Sequence, residues 1–333
     1  MLALEELTHA RRLKLELVVA HLDHSLRAES AEDARWVEQQ ARAHGFEAST
    51  RRIEVGERAR AGRDNLEQAA RRARYEFLAA TARERGAQTV LTAHTLDDQA
   101  ETILLRLLRG SGADGLGGMR AERRLEGGED TEANIGVVEA NAEVVLRRPL
   151  LNWARRADTE GYCRERGVEP RADEMNEDER FARVRVRRAL LPLLETFNPR
   201  AVESLARAAR LLREDSSALE SLAAELLEEA RAQSSTASGS SEGSDERAAR
   251  VGDEGAWPLR VEVLASAHTA LRRRALRLWL ARGRGDLRRL ELAHLVAIER
   301  LLEGTRGGRV AELPGGCRVE RRRGLLVYRG KEE

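Results

Sequence analysis

The first half of the chain alternates short apolar segments with amphipathic ones, and this order constrains the fold more than any other feature. Three strands are predicted, at 15–21, 46–55 and 89–93. Each is followed by a predicted helix, over 30–44, 65–86 and 95–109, with Ser30, Asn65 and Thr95 as the expected N-caps. A β-α-β-α-β-α order predicts an α/β fold with a doubly wound parallel sheet, because helical crossovers join parallel strands.

The second half is mostly helical by pattern. A strand at 144–151 and a helix at 153–167 complete the first region, after a polar, glycine-rich stretch at 120–143 that indicates an inserted loop or hairpin. Long helical patterns follow at 201–231 and 265–303, and 308–330 predicts a terminal hairpin with its turn at Pro-Gly-Gly. We therefore expect an α/β domain over 1–195 and a helical domain over 196–333, with a low-complexity insertion at 233–255.

Composition excludes several classes of protein. No apolar stretch approaches the roughly 18 residues of a membrane helix, and the N-terminus lacks a signal-peptide pattern, so a cytoplasmic protein is predicted. Cys163 and Cys317 fit neither a disulfide framework nor a zinc site. Of 58 basic residues only Lys14 and Lys331 are lysine, at a net charge of +1. Because arginine is so common, RNA binding would have to depend on a local basic face.

The run HTLDDQAETILLRLLRGSG, from His94 to Gly112, is the strongest candidate for a functional site. It follows the strand predicted to be buried at 89–93, so it lies at the carboxyl edge of the sheet, where ligands bind in α/β folds. Asp98 and Glu101 are three residues apart and share one helix face. The alternative is that the acidic residues of this first turn only offset the helix dipole.

Arginines supply a second set of candidates. Arg183, Arg185 and Arg187 alternate, so an extended segment would place them on one face, where they could contact RNA phosphates. A solvated, salt-bridged surface is the equally favoured alternative. His21 and His24 have no third ligand nearby in the sequence, so no metal site is assigned to them.

Four segments together resemble a known family. They are AHLDHSLR (20–27), NLEQAARRARYEF (65–77), AHTLDDQAETILLRLLRGSG (93–112), and RRPLL with DEMNEDERFARVRVR (147–151, 173–187). This set resembles the tRNA(Ile)-lysidine synthase family of the N-type ATP pyrophosphatase (PP-loop) superfamily, which implies an adenine nucleotide alpha hydrolase-like fold. The resemblance implies an ATP-dependent ligase. In that reaction ATP adenylates C2 of the wobble cytidine of tRNA(Ile) with a CAU anticodon, and lysine displaces AMP.

The resemblance also implies roles for single residues. Arg74 and His94 match positions on the nucleotide side, and Asp98 and Glu101 match acids that hold the lysine substrate. The implied partners are tRNA(Ile), ATP and free L-lysine, with Mg²⁺ expected on the pyrophosphate because of its charge. No protein metal ligand is assigned, and a homodimer is left open.

Three departures from the family pattern stand out. The family begins with a strand and an SGGxDS loop, whereas residues 1–7 here indicate the helix that would follow that loop, so the chain is expected to begin inside the first βα unit. Met175 replaces a usual serine and Val184 a usual asparagine. The absent loop keeps a non-catalytic tRNA-binding relic as an alternative. Another PP-loop tRNA-modifying enzyme, such as a thiolase, is disfavoured because Cys163 and Cys317 lie outside the site motifs.

Overall fold

The computed structural model describes residues 15–27, 29–62, 65–125, 144–168, 177–232, 257–285, 287, 289–303 and 308–331. The chain divides into two compact units, Met1–Leu212 and Arg213–Glu333. The domain boundary at 195/196 stays a prediction. The helix expected at 1–7, the departure at Met175 and the low-complexity insertion at 233–255 lie outside the described residues.

The strands of the first unit confirm the parallel pairing expected of an α/β fold. Strand β1 (Val18–Asp23) runs parallel to β2 (Glu47–Arg52), and β3 (Thr89–Leu91) runs parallel to β5 (Val145–Arg147). In the described part of the chain these pairs belong to two separate sheets. Strand β4 (Glu122–Arg124) pairs antiparallel with β5. Of the loop or hairpin predicted for residues 120–143, the pairing of these two strands agrees with the hairpin.

Strand β3 is less buried than its sequence predicts. Thr89 is exposed, Leu91 is 40% exposed, and only Val90 packs partly against an apolar cluster. Alternate residues of a strand face opposite sides, so one face of β3 is covered and the other is open in the described structure. The expectation of a buried strand at 89–93 is therefore wrong, although its position and parallel pairing are confirmed.

The helices of the first unit begin close to the predicted caps. They are α1 (Ser30–Ala43), α2 (Val55–Gly62), α3 (Leu66–Glu84), α4 (Leu96–Leu108), α5 (Ala113–Leu116), α6 (Arg156–Glu165), α7 (Ala182–Arg185) and α8 (Leu191–Phe197). Asn65 and Thr95 cap α3 and α4 as predicted. Ser30 is instead the first residue of α1, and its hydroxyl donates to the Arg27 carbonyl, so that predicted cap is one residue off. Helix α2 was not predicted.

Helix α3 packs on two sides and thereby organises the first unit. Ala69, Ala73 and Phe77, spaced four apart, face β1 and α2, whereas Tyr75 and Ala79 face β4 and β5. A third apolar cluster joins α4 to the segment from α7 to the start of α9 (Ala201–Ala230), through Leu96, Ala100, Leu104, Val186, Leu191 and Val202. Helix α4 is thus fixed by its apolar face, which leaves its polar first turn for other contacts.

The second unit has one large core. Helices α10 (Val261–Ser266), α11 (Thr269–Arg284) and α12 (Leu292–Leu302) accompany an antiparallel sheet with the strand order β6-β9-β8-β7. The strands are β6 (Leu259–Arg260), β7 (Val310–Glu312), β8 (Arg318–Arg322) and β9 (Leu325–Arg329). The predicted hairpin is therefore part of a larger sheet: Pro-Gly-Gly turns β7 into β8, and Arg323-Gly324, both at positive φ, make a second turn. None of the helices described is long and apolar enough to cross a membrane.

Candidate active site

The first turn of α4 is held by a reciprocal capping box. The Thr95 backbone N–H donates to Asp98 Oδ2 at 2.8 Å, and the Asp98 backbone N–H donates to Thr95 Oγ1 at 3.4 Å. Burial would raise the pKa of Asp98, but the hydrogen bond from the Thr95 N–H and the charges of Arg183 and Arg156 lower it overall. Asp98 is therefore a capping residue, as the alternative predicts, and an ionised carboxylate whose Oδ1 faces arginines.

Glu101 lies at the centre of a network of arginines. Its side chain is 0% exposed, and it accepts from Arg183 Nε at 2.6 Å and Arg187 Nε at 2.7 Å. Arg183 Nη2 also reaches Asp98 Oδ1 at 3.2 Å, and Arg156 Nη2 lies 3.5 Å from both carboxylates. Because Arg156 and Arg183 each contact both acids, the predicted shared face is confirmed. We call Asp98, Glu101, Arg156, Arg183 and Arg187 the carboxylate cluster.

The arginines at 183–187 do not alternate on an extended face. The segment is helical, with α7 continuing into a wide π-helical turn over Val186–Leu190. Arg183 and Arg187, four apart, share the face toward Glu101, whereas Arg185 donates to the carbonyls of Glu179 and Arg180. The expectation of a three-arginine face for RNA therefore does not hold in this geometry. Val184 between them is buried.

A second ion-pair group borders the carboxylate cluster. Arg155 donates to Asp97 at 3.0–3.2 Å, to Glu195 at 2.9 Å and to Glu203 at 3.1 Å. These hydrogen bonds, the one to Asp97 first, raise the pKa of the Arg155 guanidinium further. The Arg156 backbone N–H also donates to Asp97, at 2.7 Å. Asp97 thus fastens the start of α6 to the start of α4.

His94 lies beside the capping box and is neutral at physiological pH. Burial lowers its pKa to about 4, and the positive charges of Arg148 and Arg183 act in the same direction while Asp98 opposes them. Its Nδ1 lies 3.0 Å from Thr92 Oγ1. A neutral imidazole can donate or accept one hydrogen bond at each nitrogen without adding charge to the site.

Arg74 has a neutral partner. Its Nη2 lies 3.4 Å from Nε2 of His24, whose pKa is lowered to about 4 by burial and by the charge of Arg74. Arginine can only donate, so His24 Nε2 accepts, and the proton of the neutral ring lies on Nδ1, which has no hydrogen-bond partner among the described residues. Arg74 is solvent-exposed. The pKa of its guanidinium is nevertheless lowered, mainly because the surrounding protein removes water and also because Arg71 and Arg183 carry the same charge.

Sequence reasoning missed Arg148 and Arg156. Arg148 is 3% exposed and donates to the Arg120 carbonyl at 2.7 Å and to the Tyr75 hydroxyl at 3.3 Å. The RRPLL segment was a usable signal for Arg148, whereas nothing in an arginine-rich sequence distinguishes Arg156. We call His24, Arg74, Tyr75, His94 and Arg148 the histidine–arginine cluster. Arg74 lies against His24, Arg148 donates to Tyr75, the charges of Arg148 and Arg183 lower the pKa of His94, and that of Arg183 lowers the pKa of Arg74.

The described residues do not offer a protein site for the expected Mg²⁺. No group of three His, Cys, Asp or Glu side chains in the described ranges could hold a metal ion. Asp98 and Glu101, the predicted acids of the site, are paired with guanidinium groups. Cys163 and Cys317 are both free thiols.

Comparisons with known proteins decide the family. A PP-loop domain model matches residues 1–194, and a TilS substrate binding domain model matches residues 259–327. The tRNA(Ile)-lysidine synthase of Salinispora tropica is 37% identical over 319 residues, which is 96% of this chain and 83% of that protein. The chain belongs to the tRNA(Ile)-lysidine synthase family. The family and the fold class expected from the sequence are thus confirmed.

Other relatives carry the same description. The tRNA(Ile)-lysidine synthase of Geobacter sulfurreducens is 38% identical over 98% of this chain, and the one of Leifsonia xyli subsp. xyli is 38% identical over 92%. This chain spans 60% of the length of the Geobacter protein and 79% of the Leifsonia protein. Among solved structures, the U34-tRNA thiolase NcsA from Methanococcus maripaludis aligns with 64% of this chain at 12% identity and a TM-score of 0.48.

Proposed function

We propose that this chain catalyses lysidine synthesis, the ATP-dependent ligation of L-lysine to C2 of the wobble cytidine of tRNA(Ile) with a CAU anticodon. One observation carries the proposal. In this member of the family, the paired carboxylates of Asp98 and Glu101 lie beside arginines and the neutral His94. An enzyme that joins a cationic amino acid to an adenylated base needs carboxylates for the ammonium group and cations for the phosphates. Neither the relic nor a thiolase is favoured by an observation of this structure.

ATP is the substrate assigned to the histidine–arginine cluster. Arg74 is exposed and keeps its charge, because its described partner is a neutral imidazole. A guanidinium in this state can donate to a phosphate oxygen and stabilise the negative charge that develops when pyrophosphate leaves. His94 is neutral, so it can contribute a hydrogen bond without repelling Arg74.

Lysine is assigned to the carboxylate cluster, with different roles for the two acids. Asp98 is 18% exposed, and its Oδ1 is contacted only at 3.2 and 3.5 Å, so it is the acid that an incoming ammonium group reaches. Glu101 is fully buried under Arg183 and Arg187, so it acts through them as a positioning residue. In this proposal lysine competes with a guanidinium that the protein itself supplies.

The remaining proposals concern contacts of arginines with the tRNA, the metal ion, the oligomeric state and the cellular location. Arg185 faces away from the carboxylates and can contact a tRNA phosphate at the cost of hydrogen bonds to two carbonyls. Arg183 and Arg187 are paired with Glu101, which balances part of their positive charge. Any contribution that they make to phosphate binding is reduced accordingly. We also propose that Mg²⁺ accompanies ATP, that the protein forms a homodimer and that it acts in the cytoplasm.

The test separates the two half-reactions with Asp98→Asn. Pyrophosphate release from ATP in the presence of tRNA reports adenylation, and incorporation of labelled lysine reports transfer. We expect the lysine KM to rise at least tenfold, since a charge-assisted hydrogen bond contributes about 1.5–3 kcal/mol, while the KM for ATP changes less than about threefold. Asp178→Asn is the matched control, because Asp178 is an acid whose ion-pair partner is the exposed Arg180. An unchanged lysine KM in Asp98→Asn would overturn the assignment, and no lysine transfer by the unaltered protein would overturn the function.

A further inference from the structure

Trp153 stands out among the tryptophans of this chain. It is 66% exposed, whereas Trp279 is fully buried and Trp36 and Trp257 are partly buried. Aromatic residues make up only 3% of the sequence, so an exposed indole here is a rare feature. An apolar ring of this size left in water gives up the free energy that burial would provide, which favours a role in binding over a role in folding.

The indole is held in place although it is exposed. Its Nε1 donates to the Pro149 carbonyl at 2.9 Å, and its backbone N–H donates to the Leu150 carbonyl at 3.3 Å. The polar edge of the ring is therefore satisfied by the protein itself, and the ring carries little additional entropy cost on binding. A fixed flat surface whose hydrogen-bonding group is already paired offers its π-face to a ligand.

The position of Trp153 links it to the candidate active site. The carbonyl of the next residue, Ala154, accepts from the Leu96 backbone N–H at 2.9 Å, which fastens this turn to the first residue of α4. Arg155 and Arg156 then bind Asp97, Asp98 and Glu101. Trp153 is thus anchored within a few residues of the contacts that form the carboxylate cluster.

We propose that Trp153 is a stacking platform for an unpaired nucleobase of the RNA substrate, supplied by the anticodon loop. The inference rests on the proposed function, in which C2 of the wobble base must reach the site. A loop base can be reached only when it is unstacked from its neighbours, and aromatic side chains are the usual replacement for the lost stack. A nucleobase is favoured over an apolar protein partner because Trp153 is followed, after Ala154, by Arg155 and Arg156, whose ion pairs with Asp97, Asp98 and Glu101 place the indole next to a charged site.

The experiment measures tRNA(Ile) binding by Trp153→Ala and Trp153→Phe over a series of salt concentrations, and the variants are compared at each concentration. We expect alanine to weaken binding about 5- to 100-fold and phenylalanine to retain most of the affinity, because stacking needs a ring. The slope of log K against log salt should not change, because no charge is removed. Phe197→Ala is the control, since Phe197 is an aromatic residue that is 81% exposed and is assigned no role. A tRNA(Ile) whose anticodon loop is replaced by a stable tetraloop should bind all variants equally.

The other outcomes overturn the proposal in distinct ways. Wild-type affinity in Trp153→Ala excludes stacking. A loss of ATP affinity without a loss of tRNA affinity assigns the ring to the adenine of ATP. An equal loss with the tetraloop RNA, together with a lower Tm, assigns it to folding alone. If the unaltered protein binds tRNA in a Trp153-dependent manner but transfers no lysine, the proposed function fails and the stacking platform remains.

Discussion

The two clusters that meet at the start of α4 treat their arginines in opposite ways. In the carboxylate cluster, Arg156, Arg183 and Arg187 each contact Glu101, and two of them also contact Asp98. In the histidine–arginine cluster, the partners described for Arg74 and Arg148 are an imidazole, a phenol hydroxyl and a backbone carbonyl. The same residue type is therefore neutralised in one region and keeps its full charge in the other.

Under the proposed function, this difference restricts phosphate binding to a few of the 58 basic residues. An arginine that is paired with a buried carboxylate contributes mainly to stability and to the geometry of its neighbours. An arginine that is oriented by a neutral group remains available to an anion. The partner of an arginine, more than its presence, thus indicates its role.

The largest expected effect comes from removing the centre of the carboxylate cluster. Glu101→Gln should lower the free energy of unfolding by about 2–3 kcal/mol, because it leaves guanidinium groups without their counter-charge. The value is below the roughly 3–5 kcal/mol of fully buried pairs because the three arginines retain 24–31% of their side-chain exposure. Urea denaturation measures it. Glu122→Gln, in an ion pair that is over half exposed, is the control and should change stability by less than about 0.5 kcal/mol. Equal effects of the two variants would break the comparison.

The second prediction tests the arginine that keeps its charge. Arg74→Ala should weaken ATP binding about 10- to 100-fold while the free energy of unfolding changes by less than about 0.5 kcal/mol, because the side chain is exposed. Titration calorimetry with ATP measures the affinity. Arg58→Ala, which removes an exposed arginine paired with Glu76, should bind ATP normally. If Arg74→Ala binds ATP with unaltered affinity, then an arginine with a neutral partner does not indicate a phosphate-binding site in this protein.

The third prediction distinguishes the clusters by pH, and its effect is the smallest when it is compared over a single pH unit. His24 and His94 have folded pKa values of about 4, below the ordinary 6.5, so the unfolded state binds protons first as the pH falls. The contribution of these histidines to the free energy of unfolding is fully present above pH 6.5 and is lost between about pH 6.5 and 4. The loss is on the order of 1 kcal/mol for each histidine and each pH unit. The pKa of Asp98 is lowered from 3.8, so its contribution is present above that pH and is lost only at lower pH.

Thermal unfolding of His94→Asn over this pH range checks the prediction. The decline in Tm between pH 6.5 and 4.5 should be shallower than in the unaltered protein, because one protonation site is removed. The exposed His268→Asn is the control, since asparagine can also cap α11. A decline that is the same in both variants would show that the histidine–arginine cluster does not contribute to the pH dependence.

The local features of the fold followed from the sequence, and the contacts of the site did not. Asn65 and Thr95 were found as caps because a cap depends on residues two or three positions away. Glu101, in contrast, pairs with Arg183 and Arg187, which are 82 and 86 positions away and reach it only through the packing of α4 against the segment after α7. The alternation of Arg183, Arg185 and Arg187 places them on one face only in an extended segment, and the segment is helical.

Composition hid part of the site as well. Arg156 lies in WARRADTEGYCRERG, where arginines are frequent, so its contact with both carboxylates had no distinguishing signal. The burial of β3 was overestimated because an apolar run indicates a strand but not how many neighbours cover it. The sequence is compatible with Asp98 as a cap or as a site residue. In the structure its Oδ2 accepts from the Thr95 N–H of the cap, and its Oδ1 accepts from Arg183.

The π-helical turn at Val186–Leu190 sets a limit on length variation in this part of the chain. It follows Arg185 directly and leads into α8, whose Leu191 is buried in the cluster with Leu96 and Leu104. A π-helical turn already holds one residue more than an α-helical turn, so inserting a further residue here would rotate α8 by about 100° relative to Arg183. Either Leu191 would leave its apolar contacts or Arg187 would leave Glu101. This short stretch should therefore tolerate substitutions far better than an insertion of one residue.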